Sequence, residues 1–167
     1  MNAIKIFSSV LMLVWGGVFM ADEISDDMYG VISMAVYGSE YTAVVKDVSS
    51  VEVTDYRPVS EGSMDRYVFK PYRLTVELVQ AIDGQVPDNF DLITIALKSK
   101  PMELKQEPYV ISFCRTAGGQ YFVPGPLSRF DATAGVIAAV KEMSEDKKLN
   151  PPEGGCVANN KFYVPLN

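Results

Sequence analysis

The sequence predicts a mainly β domain of the α+β class, in which a five-stranded β-barrel is followed by one C-terminal helix. Two stretches, Tyr67–Ile82 and Asn89–Lys98, alternate apolar and polar side chains, which is typical of strands with one buried face. Between Thr133 and Lys147 the apolar spacing changes to the helical period of about 3.6 residues. Glycine and proline separate these segments, so the connections between them are turns and loops.

The beginning of the chain has the layout of a secretory signal peptide. One cation precedes the uncharged run Ile6–Ala21, and the acids Asp22 and Glu23 follow it directly. The run is shorter than the roughly 20 apolar residues that a membrane-spanning helix needs. We therefore expect residues 1–21 to be removed as a signal peptide and 22–167 to form one exported domain, periplasmic or secreted. An uncleaved N-terminal anchor and a buried core helix are the alternatives.

The first half of the domain contains one ambiguous stretch and one strand. Asp26–Tyr37 has helical spacing but is interrupted by glycine, so it predicts a short helix at best. Valines dominate Tyr41–Asp55 and favour an extended chain, with a bulge or bend at Ser49–Ser50. Tyr56–Arg66 carries proline, glycine and charged residues and predicts a long loop.

The second half supplies the remaining strands and the helix. In Asn89–Lys98 the residues Ile93, Ile95 and Leu97 share one face, and in Tyr67–Ile82 one face is shared by Tyr72, Leu74, Val76, Leu78 and Ile82. The sequence further predicts an apolar strand over Pro108–Arg115 and, after a glycine turn, a return strand over Gln120–Pro124. It also predicts the helix Thr133–Lys147, capped by Asp131 or Thr133, and a last short strand over Lys161–Leu166.

The composition excludes several kinds of function. The chain has no histidine, which removes the commonest general base and metal ligand, and we expect neither a metal nor a cofactor. Its net charge of −6 makes nucleic acid a poor partner, and a membrane is expected as a partner only if the N-terminal segment stays uncleaved. Cys114 and Cys156 are the two cysteines, and in an oxidising compartment an even pair predicts one disulfide.

A few motifs have a catalytic form but an ordinary explanation. Ser144–Lys147 matches a serine-x-x-lysine pattern, yet it lies at the end of a charged helix without partner motifs. Glu61 and Asp65 fit a carboxylate pair for glycoside hydrolysis, but acids in loops are usually solvated. The acids between Asp22 and Asp27 match no calcium loop. We interpret all three as surface features.

The strand and turn order resembles a known family of secreted barrels. The segments that carry the resemblance are Thr42–Val48, Tyr72–Val79 with the turn Asp83-Gly84, Tyr109–Phe113 and Gly118–Tyr121. They resemble the OB-like barrel of the tissue inhibitors of metalloproteinases and netrin modules, and of their bacterial secreted relatives. Those inhibitors use a mature amino-terminal cysteine, whereas the mature start here is Asp22-Glu23, so no inhibitory residue is carried over.

These observations favour an exported, non-catalytic binding or assembly module that contacts a protein or a cell-envelope polymer. The alternatives are an enzyme of unrecognised family that uses carboxylates and hydroxyls, and a structural envelope protein that pairs through strand edges. Aromatic and arginine side chains beside the long loop and the 121–130 segment are the candidate binding residues, because such side chains dominate binding surfaces. They are Tyr56, Arg57, Tyr67, Tyr121, Phe122, Arg129 and Phe130. Packing in the core or the sheet is the alternative role for the aromatic residues.

Overall fold

The computed structural model describes residues 24–54, 69–100, 102–124 and 129–156, and the backbone of 56–57 and 164–165. The predicted signal peptide, most of the predicted long loop and most of the predicted last strand lie outside the described residues. The elements in chain order are α1 (Asp26–Tyr37), β1 (Tyr41–Glu52), β2 (Tyr56–Arg57), β3 (Phe69–Asp83), β4 (Asn89–Leu97), β5 (Tyr109–Arg115), β6 (Tyr121–Phe122), β7 (Arg129–Asp131), α2 (Ala134–Leu149) and β8 (Val164–Pro165).

Five strands of a six-stranded sheet are hydrogen-bonded in a ring. The ring runs β1-β3-β4-β6-β5 and closes because β5 also pairs with β1. The β4–β6 pair is parallel, whereas the other pairs of this sheet are antiparallel. β7 adds to the edge of β5 beside β6, and β2 forms a separate two-stranded sheet with β8. The predicted mainly β, α+β class is confirmed.

The interior of the ring is a single apolar core. β5 is buried along nearly its whole length, with Tyr109, Ile111 and Phe113 pointing into the core cluster. The strand β3 contributes Leu74 and Val76 to the same cluster, and these two residues alternate with exposed or half-buried ones. The remaining buried members of the cluster are Ala43, Val45, Phe90, Leu92 and Val123. The alternation predicted for the third strand is therefore confirmed.

The fourth strand, β4, buries a different face from the one that its branched residues suggest. Phe90 and Leu92 enter the core, whereas Ile93 packs outside the ring against the disulfide. Leu97, two pairs further on that outer face, remains 43 % exposed. Because only the stretch near Ile93 is covered on both sides, sequence alternation alone does not identify the interior face.

Two helices of the described residues cover the outer face of β1 and β5, whereas the sequence predicts only the second of them as a full helix. The stretch that looked ambiguous is α1, whose N-cap is Ser25 and whose Ile32 and Val36 are fully buried. Two buried apolar positions one turn apart stabilise the helix more than the interrupting Gly30 weakens it. The predicted C-terminal helix is confirmed as α2, with Thr133 as its N-cap.

The helices run in the same direction and are joined at their C-terminal ends. Tyr37 of α1 donates a hydrogen bond to Asp146 of α2. Lys147 donates to the backbone oxygens of Val36, in the last turn of α1, and of Ser39, just after it, and forms an ion pair with Asp83 at 2.5 Å. A cation beside the carbonyls at a helix C-terminus is favourable. No helix of the described residues is long and apolar enough to cross a membrane.

The predicted disulfide between Cys114 and Cys156 is confirmed. Their Cα atoms are 5.7 Å apart, and the sulfurs pack with Ile93 and Phe122 in a small buried cluster. The bridge fastens the segment that follows α2 to the sixth residue of β5. A disulfide of this kind is compatible with an oxidising, exported location.

Replacing Cys114 by serine is expected to lower the free energy of unfolding by about 4 kcal/mol under oxidising conditions, because the bridge closes a loop of 42 residues in the unfolded chain. Urea titrations of both proteins, with and without reductant, measure the change. After reduction the two proteins should be within about 1 kcal/mol of each other. An equal loss with and without reductant would contradict a bridge in the folded protein.

The Tyr37–Asp146 hydrogen bond should be visible in titrations. It lowers the pKa of Asp146 and raises the pKa of Tyr37 to about 12. Its contribution to stability is therefore complete between the ordinary pKa values of the two groups. It is lost as the pH falls through the lowered value of Asp146 or rises towards that of Tyr37.

We expect Tyr37→Phe to raise the pKa of Asp146 towards the ordinary 3.8. Carboxyl NMR of Asp146 against pH measures it. Tyr29→Phe is the matched control on the same helix, since Tyr29 is exposed, whereas Asp146 accepts hydrogen bonds from Tyr37 and from the side chain of Asn150. An Asp146 pKa that stays unchanged in Tyr37→Phe would show that the bond does not form in solution.

Candidate functional site

Tyr121 and Phe122 are used for packing in this fold. The ring of Tyr121 lies 5.3–5.5 Å from the rings of Tyr41, Phe90 and Phe113, at one end of the core. Phe122 faces the opposite way, is only 4 % exposed and contacts the disulfide cluster. Edge-to-face aromatic contacts stabilise a core beyond the area that they bury. These two residues therefore support the ring, and Tyr121 presents only part of its surface.

The candidate residues near the long loop are separated from the later segment. Tyr56 and Arg57 form β2, which pairs with Pro165 and Val164 of β8. Tyr67 lies outside the described residues. The structure thus assigns this part of the predicted surface to the two-stranded sheet and gives no side-chain geometry for it.

Arg129 and Phe130 lie side by side on β7 and line a groove of about 420 Å³. The groove lies where β7 meets the N-terminal ends of both helices. Its lining residues are Ile24, Ser25, Met28, Lys105, Arg129, Phe130, Asp131, Thr133 and Val136, and we call it the Arg129 groove. It is the candidate functional site, because concave surfaces with apolar walls and a few polar groups are typical of binding sites.

A buried charge network holds two of the residues that line the groove, Arg129 and Lys105. The side chain of Asp47 is 0 % exposed and forms an ion pair with Arg129, whose side chain is 17 % exposed. The oxygen that Arg129 contacts, Oδ2, also accepts a hydrogen bond of 2.6 Å from the backbone N–H of Lys105, and Oδ1 accepts one of 2.6 Å from the hydroxyl of Tyr109. A buried carboxylate needs such partners to offset the loss of its hydration.

Tyr109 holds the arginine from a second side. The guanidinium carbon of Arg129 lies 4.4 Å from the centre of the Tyr109 ring, within the range of a cation–π contact. Burial raises the pKa of Tyr109, the charge of Arg129 partly offsets that rise, and the hydrogen bond to Asp47 adds to it. The phenol therefore remains protonated at neutral pH and acts as a donor to Asp47.

The irregular pairing of β1 accompanies this network. The register of β1 against β3 shifts between Asp47 and Ser49, and Val48 is 53 % exposed. A bulge changes the direction of the side chains beside it. The bulge predicted at Ser49–Ser50 is thus found one or two residues earlier, next to the acid that binds Arg129.

A second ion pair lies at the mouth of the groove. Lys105 Nζ is 2.6 Å from an oxygen of Asp131, whose side chain is 81 % exposed, while the Lys105 side chain is 36 % exposed. The hydrogen bond and charge of Lys105 lower the pKa of Asp131, so Asp131 is an anion at neutral pH. Exposed pairs of this kind contribute only about 0–1 kcal/mol to stability.

Most polar groups of the groove already have partners within the protein. The hydroxyl of Ser25 accepts from the N–H of Met28, and the hydroxyl of Thr133 accepts from the N–H of Val136. Arg129 and Lys105 are engaged in the ion pairs above. The surface that remains available to a ligand is therefore mainly the apolar lining formed by Ile24, Met28, Phe130 and Val136.

The groups with catalytic form do not assemble a reactive site among the described residues. The interpretation of Ser144–Lys147 as a surface feature is wrong, because Ser144 is 1 % exposed and Lys147 forms a largely buried ion pair with Asp83. The described chain holds no group of three or more histidines, cysteines or acids placed to bind a metal. Glu61 and Asp65 lie outside the described residues. The Arg129 groove itself contains one carboxylate, that of Asp131.

Asp47, Lys105, Ile24 and Met28 belong to the site but were not among the candidate residues. One signal in the sequence was available for Asp47, since an acid between valines on a predicted buried strand is unusual and implies a partner. The other three lie far from β7 in the sequence, and only the packing of α1 and the 102–108 connection brings them to it.

Neither a scan against protein-family models nor a search of curated proteins finds a match for this chain.

Arg129→Met should lower the free energy of unfolding by about 3–5 kcal/mol, because it leaves the fully buried carboxylate of Asp47 without its counter-ion. The matched control is Lys70→Met, which breaks the exposed Lys70–Glu52 pair and should cost less than about 1 kcal/mol. Urea denaturation of both variants at neutral pH gives the comparison. Similar losses in the two variants would contradict a structural role for the buried pair.

Proposed function

We propose that this protein is an exported, non-catalytic binding module that contacts a protein partner through the Arg129 groove. The observation that carries the proposal is the groove itself. It joins two of the residues singled out in the sequence, Arg129 and Phe130, with apolar side chains from the starts of both helices. A partner side chain inserted there would bury apolar surface without displacing the helix caps, and that burial is favourable.

A protein partner fits the groove better than a cell-envelope polymer does. A polysaccharide presents many hydroxyl groups that need donors and acceptors, and the hydroxyls of Ser25 and Thr133 each already use one acceptor position for a helix cap. The walls formed by Ile24, Met28 and Val136 suit an apolar side chain instead. Interfaces between proteins combine such apolar centres with a polar rim.

Two further features support the framework of this proposal. The disulfide is compatible with export, and the ring of five strands with a helix after it fits an OB-like barrel, although the first helix and β7 add to that plan. The resemblance to netrin modules and tissue inhibitors of metalloproteinases is part of the proposal at the level of the scaffold. The contact surface proposed here uses β7 and the helix starts, which none of the segments that carry the resemblance includes.

Site-specific photo-crosslinking tests the proposed surface. Met28 and Met34 are exposed methionines on the same helix, 47 % and 71 % accessible, but only Met28 lines the groove. We expect p-benzoylphenylalanine at position 28 to give a discrete protein adduct after irradiation in an envelope extract, and the same residue at position 34 to give none.

The partner identified by mass spectrometry should then bind the purified wild-type protein. Met28→Asp should weaken that binding at least about 10-fold, equivalent to about 1.4 kcal/mol, and Met34→Asp should leave it unchanged. Adducts from both positions, adducts from neither, or a heterogeneous polymer adduct at position 28 would contradict a protein partner in the groove.

A further inference from the structure

The charged groups of the Arg129 groove differ in how firmly they are held. Asp47 fixes Lys105 through the backbone on both sides, since Lys105 N–H donates to the Asp47 carboxylate and Asp47 N–H donates to the Lys105 oxygen. The ammonium of Lys105 also lies 5.7 Å from the centre of the Tyr109 ring. Asp131, in contrast, carries its carboxylate in an 81 % exposed side chain at the end of a short edge strand. In this pair the cation is the fixed member and the carboxylate is the replaceable one.

A further observation makes the mouth of the groove suitable for a carboxylate from outside. The N-terminal end of α2 opens into the groove through Thr133 and Val136, and its first turn contains no acid. An anion near such a helix end is favoured. The acids Asp26 and Asp27 lie in the first turn of α1, and the exposed carboxylate of Asp131 lies two residues before the N-cap of α2.

From these contacts we infer that the groove binds a peptide segment in which a residue with an apolar side chain is next to a residue with a carboxylate. The inference rests on the proposed function and specifies its partner. The apolar side chain lies among Ile24, Met28 and Phe130, and the peptide carboxylate replaces Asp131 beside Lys105. Once released, Asp131 accepts a backbone N–H of the peptide. A fatty acid lacks such an N–H donor. A peptide can therefore bind both Lys105, through its carboxylate, and Asp131, through its backbone N–H, whereas a fatty acid can bind only Lys105.

The test uses the isotope-labelled exported protein and heptapeptides, acetylated at the N-terminus and amidated at the C-terminus, in NMR titrations at low salt. One peptide alternates leucine and aspartate, a second has asparagine in place of each aspartate, and a third has alanine in place of each leucine. We expect the leucine–aspartate peptide to shift the amide signals of Met28, Lys105 and Phe130. It should bind at least about 10-fold more tightly than either of the other two.

Lys105→Met keeps the aliphatic stem and removes the charge, so it should abolish most of the preference for aspartate over asparagine. Lys100→Met is the control, because the Lys100 side chain is 67 % exposed and pairs with Glu103 outside the groove. It should leave the preference intact. The amide spectra of both variants also report whether they remain folded.

The outcomes separate this inference from the proposed function. If the aspartate and asparagine peptides bind the groove equally well, the groove does not recognise a carboxylate and this inference is wrong. The proposal that the groove binds a protein would still stand. Decanoate that shifts the same signals and binds more tightly than the leucine–aspartate peptide would overturn the peptide assignment. Failure of all the peptides to shift the groove signals would also overturn it, while the photo-crosslinking result decides the proposed function independently.

Discussion

The buried carboxylate of Asp47 is the interaction on which the rest of the site depends. It lies beside one of the three register shifts of β1 and binds a guanidinium from β7, a phenol from β5 and a backbone N–H from the connection before β5. Through it, parts of the chain as distant as residues 47 and 129 share one charge-neutral cluster. Removing any partner exposes the others to the cost of an unsatisfied buried charge, so the cluster specifies where β7 and Lys105 lie. The groove is the outer surface of that arrangement.

Three separate layers of packing support this cluster. Inside the ring, Tyr109, Ile111 and Phe113 alternate inward from a strand that is also covered on its outer face. Outside the ring, the helices bury Val44 and Val110 between them and the sheet. The disulfide closes a third, small cluster with Ile93 and Phe122. Because β5 takes part in all three, a change in its position is felt in the core, the helices and the groove together.

Much of the fold follows from sequence patterns, and the exceptions have physical causes. The alternation of β3, the cap and apolar stripe of α2 and the cysteine pair were all readable, because each depends on local spacing or on a two-residue choice. The helix α1 was undervalued because Gly30 lowers helix propensity, whereas Ile32 and Val36 gain their stability from tertiary burial that the sequence does not display. In β4, the small cluster around the disulfide buries Ile93 on the face opposite to the core. The periodicity of β4 does not predict this burial, because the residue that packs over Ile93, Cys156, comes from a distant part of the sequence.

The candidate site was predicted only in part for the same reason. Arg129 and Phe130 stood out through residue type and their place among prolines, but Phe122 and Tyr121 have the same character and are largely used for packing. What distinguishes the two pairs is the partner on the other side of each strand. Asp47 and the N-terminal ends of the helices contact β7 only in the folded protein. A single sequence does not show such long-range contacts.

Hydrogen exchange in Asp47→Asn measures the central claim most directly, since asparagine keeps the size of the side chain and removes the charge that holds Arg129. The amide of Ala132 donates to Pro108 at the end of β7, and the amide of Leu78 donates to Asp88 in the β3–β4 hairpin. The account predicts that exchange at Ala132 accelerates at least about 10-fold more than exchange at Leu78, because β7 is released locally. Equal acceleration at the two amides, or none at Ala132, would contradict the view that the buried pair holds β7 and builds the groove.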